Sequence, residues 1–569
     1  MRLQVIKSKN AASLYIVKSV YENKKRSSKI VEKLGTLAEL TEKLQGEDPI
    51  EWGLRYAAEL SLKDKESKRK ILVEYSPVEC IPEGQRAFNG GYLFLQQIYS
   101  SLGLSKICKE ISGRYKFTYD LDSVLSRLLY GRIIYPSSKL ATSEQAKRFI
   151  EKPDFELQHI YRALEILAKE NDFIQASVYK NSSTLKKRND KVLYYDCTNY
   201  FFEIERESGL KQYGMSKEHK PNPIIQMGLF MDGDGIPLAF NINAGNTNEQ
   251  LTMRPLEEKI LKDFDLSKFI VCTDAGLASE SNRRLNNYGD RFFITTQSIK
   301  KLPKHLKEWA LASDKWHLSG DNKLYDINDL DEDVHKEAKF YKERWINENG
   351  LEQKLIVTYS IKYRDYQRGI REQQINRAQN ALEKNPSKIK KSKPNDYKRF
   401  IQQTHCTQTG EVAEKNAYSI NADVIKNEMM YDGFYAVCSN IDGDTREIIE
   451  INKKRWEIEE CFRIMKTEFK ARPVFLSRDT RITAHFLTCY LALIIYRLLE
   501  KKLDNKFTCC EIITALRSMD FVKVEGEGYI PAYSKSAAIN ALHEKFGFKT
   551  DYQIITNKQI RKIIKKTKS

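Results

Sequence analysis

Three carboxylates stand where an α/β core would expose them. Asp196 lies inside the apolar run KVLYYDCTNYFF, Asp274 ends the run KFIVCTD just before an Ala-Gly turn, and Glu459 lies on a predicted helix over residues 451–470. A carboxylate within an apolar strand is costly unless it is paired or bound to a metal. Oxygen ligands without Cys or His suit Mg²⁺ or Mn²⁺. Two such ions, about 3.5–4 Å apart, would clamp a scissile phosphate, so the three acids predict a catalytic metal site.

The segment INKKRWEIEECFRIMKTEFK, residues 451–470, predicts one helix because it lacks Gly and Pro and is rich in helix-favouring residues. At 3.6 residues per turn its stripe carries Arg455, Glu459, Phe462 and Lys466. Two interpretations of the stripe stay open. It is either a solvated face with an i,i+4 ion pair, or a face whose carboxylate holds a metal and whose cations hold phosphates.

Other acidic residues lack such a setting. Asp232 and Asp234 belong to an Asp-Gly-Asp-Gly turn and are predicted to be turn formers. Glu460 points about 100° away from the face of Glu459. We therefore expect Glu460 to be an electrostatic neighbour of the site and not a ligand.

The sequence lacks the residue patterns that nucleotide hydrolysis and zinc binding require. Gly209 and Gly214 have the glycine spacing of a phosphate-binding loop, but Met215 stands where that loop needs Lys, so nucleotide hydrolysis is not supported. The eight His and ten Cys show neither HExxH nor CxxC spacing, which argues against a dedicated zinc site.

The charge balance favours a polyanionic partner. Among 569 residues, 95 Lys and Arg face 77 Asp and Glu, which gives a net charge of +18 and a pI near 9.1. Such a surplus suits nucleic acid, whose binding would then depend on salt. A basic protein without such a partner is the alternative.

Composition also bears on the compartment. The N-terminal residues are polar and the Cys are scattered, which predicts a reduced, cytoplasmic protein. The most apolar stretch, residues 484–499, is too short to span a bilayer and contains His485 and Arg497. We expect this stretch to be a buried helix and expect no membrane partner.

Local patterns divide the chain into six regions. Residues 1–75 predict a small β meander, with a turn near residues 23–25, and a polar helix over about 37–70. Residues 76–188 predict short helices, either a helix-turn-helix-like DNA reader or a plain helical packing domain. The remaining regions are an α/β core (189–300), a largely β insertion subdomain with a basic loop (301–425), the rest of the core with the Glu-bearing helix (426–480) and a helical C-terminal region (481–569).

The series Asp196, Asp274 and Glu459 resembles the catalytic acids of DDE-type bacterial insertion-sequence transposases. Arg455-x3-Glu459-x6-Lys466 is similar to their Tyr-x2-Arg-x3-Glu-x6-Lys signature, and the blocks YGMSKEHKPNPIIQMGLF, IPLAFNINAGN, VCTDAGLAS and MYDGFYAVCSN also resemble this group. The resemblance covers about residues 190–480. It implies a ribonuclease-H-like mixed sheet core that is interrupted by a β insertion between the second Asp and the Glu.

The resemblance also implies roles for further residues. Arg455 and Lys466 would contact DNA phosphates near the cleaved end, and a bidentate Arg fits that task. Trp456 would stack on an unpaired base or pack in the core. The signature Tyr falls at Asn452, which lacks the ring, so the holding of the DNA end differs here. Further positions in a family block, of which Lys217 or His219 could contact DNA, are Tyr213, Ser216, Lys217, His219 and Gln226.

The expected function is therefore an insertion-sequence transposase with two Mg²⁺ or Mn²⁺ ions. It would bind double-stranded DNA at terminal inverted repeats, pair two ends in a homodimeric synaptic complex, cut, and join 3′ ends to target DNA. The N-terminal region and the basic insertion would recognise the ends, and a hairpin intermediate is an open possibility. The alternatives are a nuclease of the same fold in repair or recombination, and a catalytically silent DNA-binding relative.

Overall fold

The computed structural model of the chain describes residues 1–8, 11–22, 25–68, 70–73, 76–81, 83–185, 187–384, 396–406 and 412–569. Contacts between Cα atoms divide the chain into two units. The first unit comprises residues 1–84 and 524–527, and the second comprises residues 85–523 and 528–569. The finer boundaries stated above stay predictions.

The first unit is an antiparallel sheet with two helices, as the predicted meander requires. The sheet order is β1-β2-β3, and Leu14 and Ile16 of the middle strand are fully buried. The predicted turn near residues 23–25 lies partly outside the described residues. The predicted helix over 37–70 is instead two helices, because Gln45 and Gly46 take positive φ angles of 45° and 110° between them. The elements are β1 (Arg2–Lys7), β2 (Ala12–Glu22), β3 (Lys25–Thr36), α1 (Leu37–Lys43) and α2 (Pro49–Lys68).

A short strand and six helices open the second unit. Every residue of the third helix in this group, α5, is buried except Asp122, so this helix belongs to the core. The elements are β4 (Ala87–Asn89), α3 (Tyr92–Ser101), α4 (Leu104–Arg114), α5 (Leu121–Ile134), α6 (Lys139–Ala146), α7 (Leu157–Lys169) and α8 (Asn171–Leu185).

A mixed sheet of ten strands follows, and it positions the predicted acids. Its strands are β5 (Val192–Phe201), β6 (Ile224–Asp232), β7 (Pro237–Ala244), β8 (Ile270–Thr273), β9 (Phe292–Gln297), β10 (Trp316–Leu318), β11 (Leu324–Tyr325), β12 (Phe340–Glu348), β13 (Leu351–Tyr359) and, after the pair β14 (Ile401–Cys406) and β15 (Val412–Ile420), β16 (Phe434–Ser439). The order is β11-β10-β12-β13-β16-β9-β8-β5-β6-β7. Strands β5, β6 and β7 are antiparallel neighbours, whereas β5, β8 and β9 run parallel. The predicted meander followed by βα units is thus confirmed.

Strands from residues 316–359 extend this same sheet, although the sequence predicted that they form a separate β subdomain. Strand β13 pairs with β16, which in turn pairs with β9. Only β14 and β15 form a separate two-stranded sheet. The predicted basic loop lies mostly at residues 385–395, outside the described residues. The helices of this part are α9 (Met253–Asp263), α10 (Glu280–Leu285), α11 (Lys304–Leu311), α12 (Glu332–His335), α13 (Ile361–Lys384) and α14 (Ala422–Met429).

The chain then forms further helices around one long apolar helix, α17 (Asp479–Lys502). Helix α17 packs on α3, α5, α7 and β7. Among the described residues it alone has the length and composition to cross a membrane, but 89% of its most apolar window is buried, as predicted for residues 484–499. An all-round apolar helix is typical of such a core position. The elements are α15 (Thr445–Lys453), α16 (Trp456–Arg463), a π-helical turn (Ile464–Glu468) and α17 (Asp479–Lys502).

The C-terminal region is not purely helical, which corrects the predicted helical tail. Three of its strands join β4 in a sheet of order β19-β18-β17-β4. Asn89 Nδ2 donates to Leu516 O (3.0 Å), which ties the two ends of this unit together. Because these strands are short and the two ends of the sheet are distant in the chain, no local sequence pattern predicts them. The elements are α18 (Cys509–Ser518), β17 (Asp520–Val524), β18 (Gly528–Pro531), α19 (Ala537–Phe546), β19 (Ile555–Thr556) and α20 (Asn557–Thr567).

Candidate active site

The sheet brings the first two predicted acids side by side. In the parallel pair β5–β8, Leu193 is level with Val271 and Tyr194 with Cys272. Two residues further along each strand, the same register places Asp196 level with Asp274. Neighbouring strands lie roughly 4.8 Å apart, so backbone pairing alone sets these two carboxylates close together.

Asp196 sits in an environment that disfavours its charge. Its Oδ1 accepts a hydrogen bond from its neighbour Cys197 N (2.7 Å). Burial raises the pKa of the Asp196 carboxyl to about 6; the Lys217 ammonium opposes this rise, and the Asp274 carboxylate adds to it. A cation that binds beside a carboxyl with a raised pKa stabilises the ionised form of that carboxyl.

Asp274 is anchored by the turn that follows β8. Its Oδ1 accepts hydrogen bonds from Gly276 N (3.0 Å) and Leu277 N (3.1 Å). A Cβ at position 276 would lie 3.3 Å from the same oxygen, so Gly276 permits the close turn. The second carboxylate is thereby oriented by backbone groups, as the sequence turn suggested.

Glu459 is placed differently from the two aspartates. It is exposed on α16 and accepts from Arg455 Nη1 (2.9 Å), so the predicted i,i+4 pair is present. Among the residues that the structure describes, no group of three or more His, Cys, Asp or Glu lies close enough to hold a metal ion. The structure thus brings Asp196 and Asp274 together and directs Glu459 toward Arg455.

The predicted single helix over 451–470 is wrong. The chain turns more tightly between α15 and α16, where Lys454 N donates to Ile451 O and Arg455 N donates to Asn452 O. After α16 the π-helical turn shifts the register again. The predicted stripe is therefore divided: Phe462 is buried in the core, while Lys466 reaches β5.

Two lysines flank Asp196. Lys466 Nζ donates to Thr198 Oγ1 (2.7 Å), two residues along β5, and burial lowers the pKa of Lys466 to about 8, assisted by the charge of Lys217. Lys217 Nζ donates to Cys197 O (2.5 Å) and pairs with Glu249 (3.1 Å). Burial would lower the pKa of Lys217, but the carboxylates of Asp196 and Glu249 outweigh it and raise that pKa. Both cations thus lie near the first aspartate.

Asn452 and Arg455, two of the signature positions, line an open cavity of about 510 Å³. Asn452, Arg455 and the exposed Trp456 contribute from the α15–α16 junction, so the packing alternative for Trp456 is wrong. The rest of the wall comes from β13, α13 and β16 and from lysines around them. Alongside aliphatic and small residues, it includes the aromatic and basic side chains Lys339, Tyr359, Lys362, Tyr363, Tyr366, Tyr435 and Lys453.

Tyr435 is a site residue that sequence reasoning missed. Its hydroxyl lies 2.6 Å from Thr296 Oγ1 and accepts from Asn452 Nδ2 (3.3 Å). Asn452 thus points its amide at a phenol that a neighbouring strand supplies. No local signal in the sequence could have shown this, because the two residues meet only when β16 joins the sheet beside β9.

The remaining predicted positions lie around the 213–226 segment. His219 is exposed and has a positive φ of 57°. Tyr213 is 47% exposed. Ser216 Oγ accepts from Lys220 N (3.2 Å). Gln226 is buried and donates to Thr247 O (2.6 Å), so it has a structural role.

Comparisons with known proteins bear on this arrangement. The family model described as Transposase DDE domain matches residues 201–495, which includes Asp274 and Glu459 and begins shortly after Asp196. A comparison with curated protein sequences finds no significant match.

Among solved structures, a piggyBac transposase synaptic complex with hairpin DNA is similar at 8% identity and a TM-score of 0.36. The alignment covers 85% of this chain and 88% of that one, but the similarity is too weak to carry an argument. The family match spans more than half of the 569 residues. The chain therefore belongs to the family of transposases with a DDE domain.

Proposed function

We propose that this protein is the transposase of a bacterial insertion sequence, acting in the cytoplasm. It binds double-stranded DNA at terminal inverted repeats, pairs two ends as a homodimer, cuts, and joins the 3′ ends to target DNA. The observation that carries the proposal is the parallel pairing of β5 with β8, whose register, extended two residues past the last pair Tyr194–Cys272, brings Asp196 and Asp274 to the same edge of the sheet. The order β7-β6-β5-β8-β9, antiparallel and then parallel, supports a ribonuclease-H-like core, and the residues between β9 and β16 supply room for an insertion.

Asp196 and Asp274 fit a divalent cation. Both offer carboxylate oxygens, and the pKa of Asp196 is raised by burial and by the neighbouring Asp274 carboxylate, a cost that a bound cation would offset. Glu459 is the proposed third ligand. To bind the metal, its carboxylate must leave the ion pair with Arg455. Members of this family generally use divalent ions, and we propose two Mg²⁺ or Mn²⁺. When bound, the ions would activate water or a 3′ hydroxyl and stabilise the leaving oxygen.

The cations around the acids suit the DNA backbone. Arg455 is half-buried beside Glu459 and can offer a two-pronged donor to a phosphate once that pair opens. Lys466 and Lys217 donate to Thr198 and Cys197, the residues that follow Asp196 on β5. His219 lies near Lys217 in the chain and is a weaker candidate for a DNA contact. Together these groups would orient one phosphodiester over the two aspartates.

The 510 Å³ cavity supports a role in handling an unpaired base at the cut end. Trp456 is 57% exposed at its rim, and an aromatic face can stack on any base. Because Asn452 lacks the signature ring, we propose that Tyr435 supplies the hydroxyl at this point. A hairpin on the element's end would need such a place for the base that leaves the stack.

The test uses a labelled duplex that carries the inverted repeat bordering the coding sequence. Purified protein is added with Mg²⁺, with Mn²⁺ or with EDTA, and products are mapped on a denaturing gel. We expect metal-dependent cuts at the repeat boundary that Glu459→Ala abolishes. Glu450→Ala is the matched control, because Glu450 is likewise an exposed helical Glu that pairs with a cation, Lys453 (3.3 Å).

The outcomes separate the alternatives. A product that snaps back on itself would show the hairpin route. Cuts without preference for the repeat would indicate a nuclease instead. Binding without cutting under either metal would indicate a DNA-binding relative whose acids do not assemble.

A further inference from the structure

The N-terminal sheet has one covered face and one open face. Leu14 and Ile16 point toward the helices, where a Cβ on Gly53 of α2 would lie 2.9 Å from Leu3 and 3.4 Å from Leu14. Lys18 on the same face pairs with Asp64 of α2 (2.7 Å). Residues of opposite parity must therefore face away from the helices.

The pairing register arranges the open face in rows. Gln4, Tyr15 and Lys33 are level across the three strands, and so are Arg2, Val17 and Ile30. A further row joins Ser19 and Ser28, and Arg2 Nη2 donates to Ser28 Oγ (3.1 Å). Val17, on the middle strand, is only 2% exposed, and the members of this set that are exposed are Arg2, Gln4, Ser19, Ser28, Ile30 and Lys33.

Charge divides this unit along its chain. Residues 1–36 carry nine Lys and Arg against two Glu, whereas residues 37–68, which form the helices, carry five Lys and Arg against eight Asp and Glu. Of the basic residues whose side chains the structure describes, Arg2 and Lys33 are in register with the open face, whereas Lys7, Lys18 and Lys29 are in register with the covered face. The described residues of the open face include no acid, while the helices carry net negative charge, so a polyanion is attracted to the open face and repelled by the helical side.

The open face also has the residue types and size for reading bases. Arg and Lys recognise guanine, Gln recognises adenine, Ser can bond either way, and an aliphatic side chain meets the thymine methyl. Three strands spaced at roughly 4.8 Å make a sheet about 10 Å wide, which fits the major groove of roughly 12 Å. Sheets are known to enter DNA grooves in this way.

The helices of residues 92–185 are less suited to recognising DNA bases. Helix α5 is buried except at Asp122, and seven of the ten residues of α3 are buried. A recognition helix must offer an exposed face to base edges. The helix-turn-helix interpretation of this region therefore fails for its two most apolar helices.

We propose that the open face of β1–β3 enters the major groove of duplex DNA and reads sequence with Arg2, Gln4, Ser28 and Lys33. This inference rests on the proposed function, since it assigns the element's end DNA to a particular surface. The strands carry the reading residues, and α2 holds the sheet in shape from behind.

The test begins with the full-length protein and a pool of randomised duplexes, from which bound DNA is selected and sequenced. The selected duplex and a scrambled duplex then serve as probes for Gln4→Ala/Lys33→Ala. We expect preference for the selected duplex to fall by about tenfold or more, since a good side-chain–base contact discriminates by roughly that factor. Lys63→Ala/Lys65→Ala on exposed positions of α2 is the matched control and should leave the preference unchanged.

Methylation interference with dimethyl sulfate identifies the DNA groove that the protein contacts. We expect interference at guanine N7, in the major groove, within the selected sequence. Interference confined to the minor groove, an unchanged preference in Gln4→Ala/Lys33→Ala, or failure of the full-length protein to enrich any duplex would each overturn the proposal. Nicking of a supercoiled plasmid with Mn²⁺, compared with Asp196→Asn, tests the proposed catalytic function separately, and Gln4→Ala/Lys33→Ala should retain it.

Discussion

The strand pair β5–β8 and helix α16 both carry predicted catalytic carboxylates, but they hold them by different forces. Asp196 and Asp274 are set by backbone hydrogen bonds, those of the parallel β5–β8 ladder and, for Asp274 just beyond it, those from Gly276 N and Leu277 N. Glu459 is held by one ion pair to Arg455 on an exposed face. A ladder cannot shift without breaking several bonds, whereas an exposed ion pair exchanges partners at little cost. In the proposed site, Asp196 and Asp274 therefore form a standing pair, and Glu459 is the acid that must be recruited.

The largest expected effect comes from the standing pair. Asp196→Asn and Asp274→Asn should each lower metal-dependent cleavage of the end duplex by more than about a hundredfold, since even an outer-shell partner of a metal is worth roughly 10–100-fold. DNA binding, measured by mobility shift, should survive. Cleavage that persists in Asp196→Asn would contradict the site assignment.

The role of Glu459 in cleavage can be measured separately from its ion pair with Arg455. We expect Glu459→Gln to lower cleavage by about tenfold or more, while thermal unfolding of Glu459→Gln, Arg455→Gln and the double variant shows a coupling below about 1 kcal/mol, as is typical for exposed pairs. A large coupling with normal cleavage would show that Glu459 serves structure and not chemistry.

Lys466 tests the cation beside the standing pair. Its pKa near 8 means that it is charged at neutral pH and loses its charge as pH rises through that value. Affinity for the end duplex should therefore fall by a few fold, roughly one phosphate contact, between pH 7 and 9. Lys466→Arg stays charged and should flatten this profile. An identical profile in Lys466→Arg would assign the titration to another group.

The smallest expected effect is on stability. The folded pKa of Asp196, about 6, lies above its ordinary value of 3.8, so the folded protein binds more protons than the unfolded chain between these pH values and loses stability as pH rises through them. Asp196→Asn removes this penalty. Without metal, it should melt on the order of a few degrees higher than the natural protein at pH 7.5 and equally at pH 3.5.

Magnesium provides the companion measurement. It should raise the melting temperature of the natural protein, because a cation bound only to the folded state stabilises it. In Asp196→Asn the rise should be absent. An equal rise in both proteins would show that the metal binds elsewhere.

How much the sequence could predict depended on how local the determinant was. The apolar runs around Asp196 and Asp274 predicted both strands and their meander, because each run is buried on both faces. The run 451–470 contained no breaker, yet it divides at Lys454 and again at the π-helical turn. Between the two breaks, Ile458, Cys461 and Phe462 are buried in the core, and such tertiary packing is not recorded in helix propensity.

The extension of the sheet is a second case. Strands β12 and β13 were predicted as strands, but β16, the partner that joins β13 to the core sheet, comes some eighty residues later. Strand propensity is local, whereas pairing is chosen among all exposed edges during folding. The separate subdomain expected for residues 301–425 is therefore partly a continuation of the core sheet.

By itself, the sequence determined the carboxylates, their strands, the basic balance and the resemblance to DDE transposases, since each is a matter of residue type and short spacing. The tertiary structure added the pairing of β5 with β8 that brings Asp196 and Asp274 to one edge of the sheet, the contact of Tyr435 with Thr296 and Asn452, and the separation of the N-terminal sheet into two faces. These depend on strand pairing and packing between elements, whose geometry follows from pairing register and not from local preference.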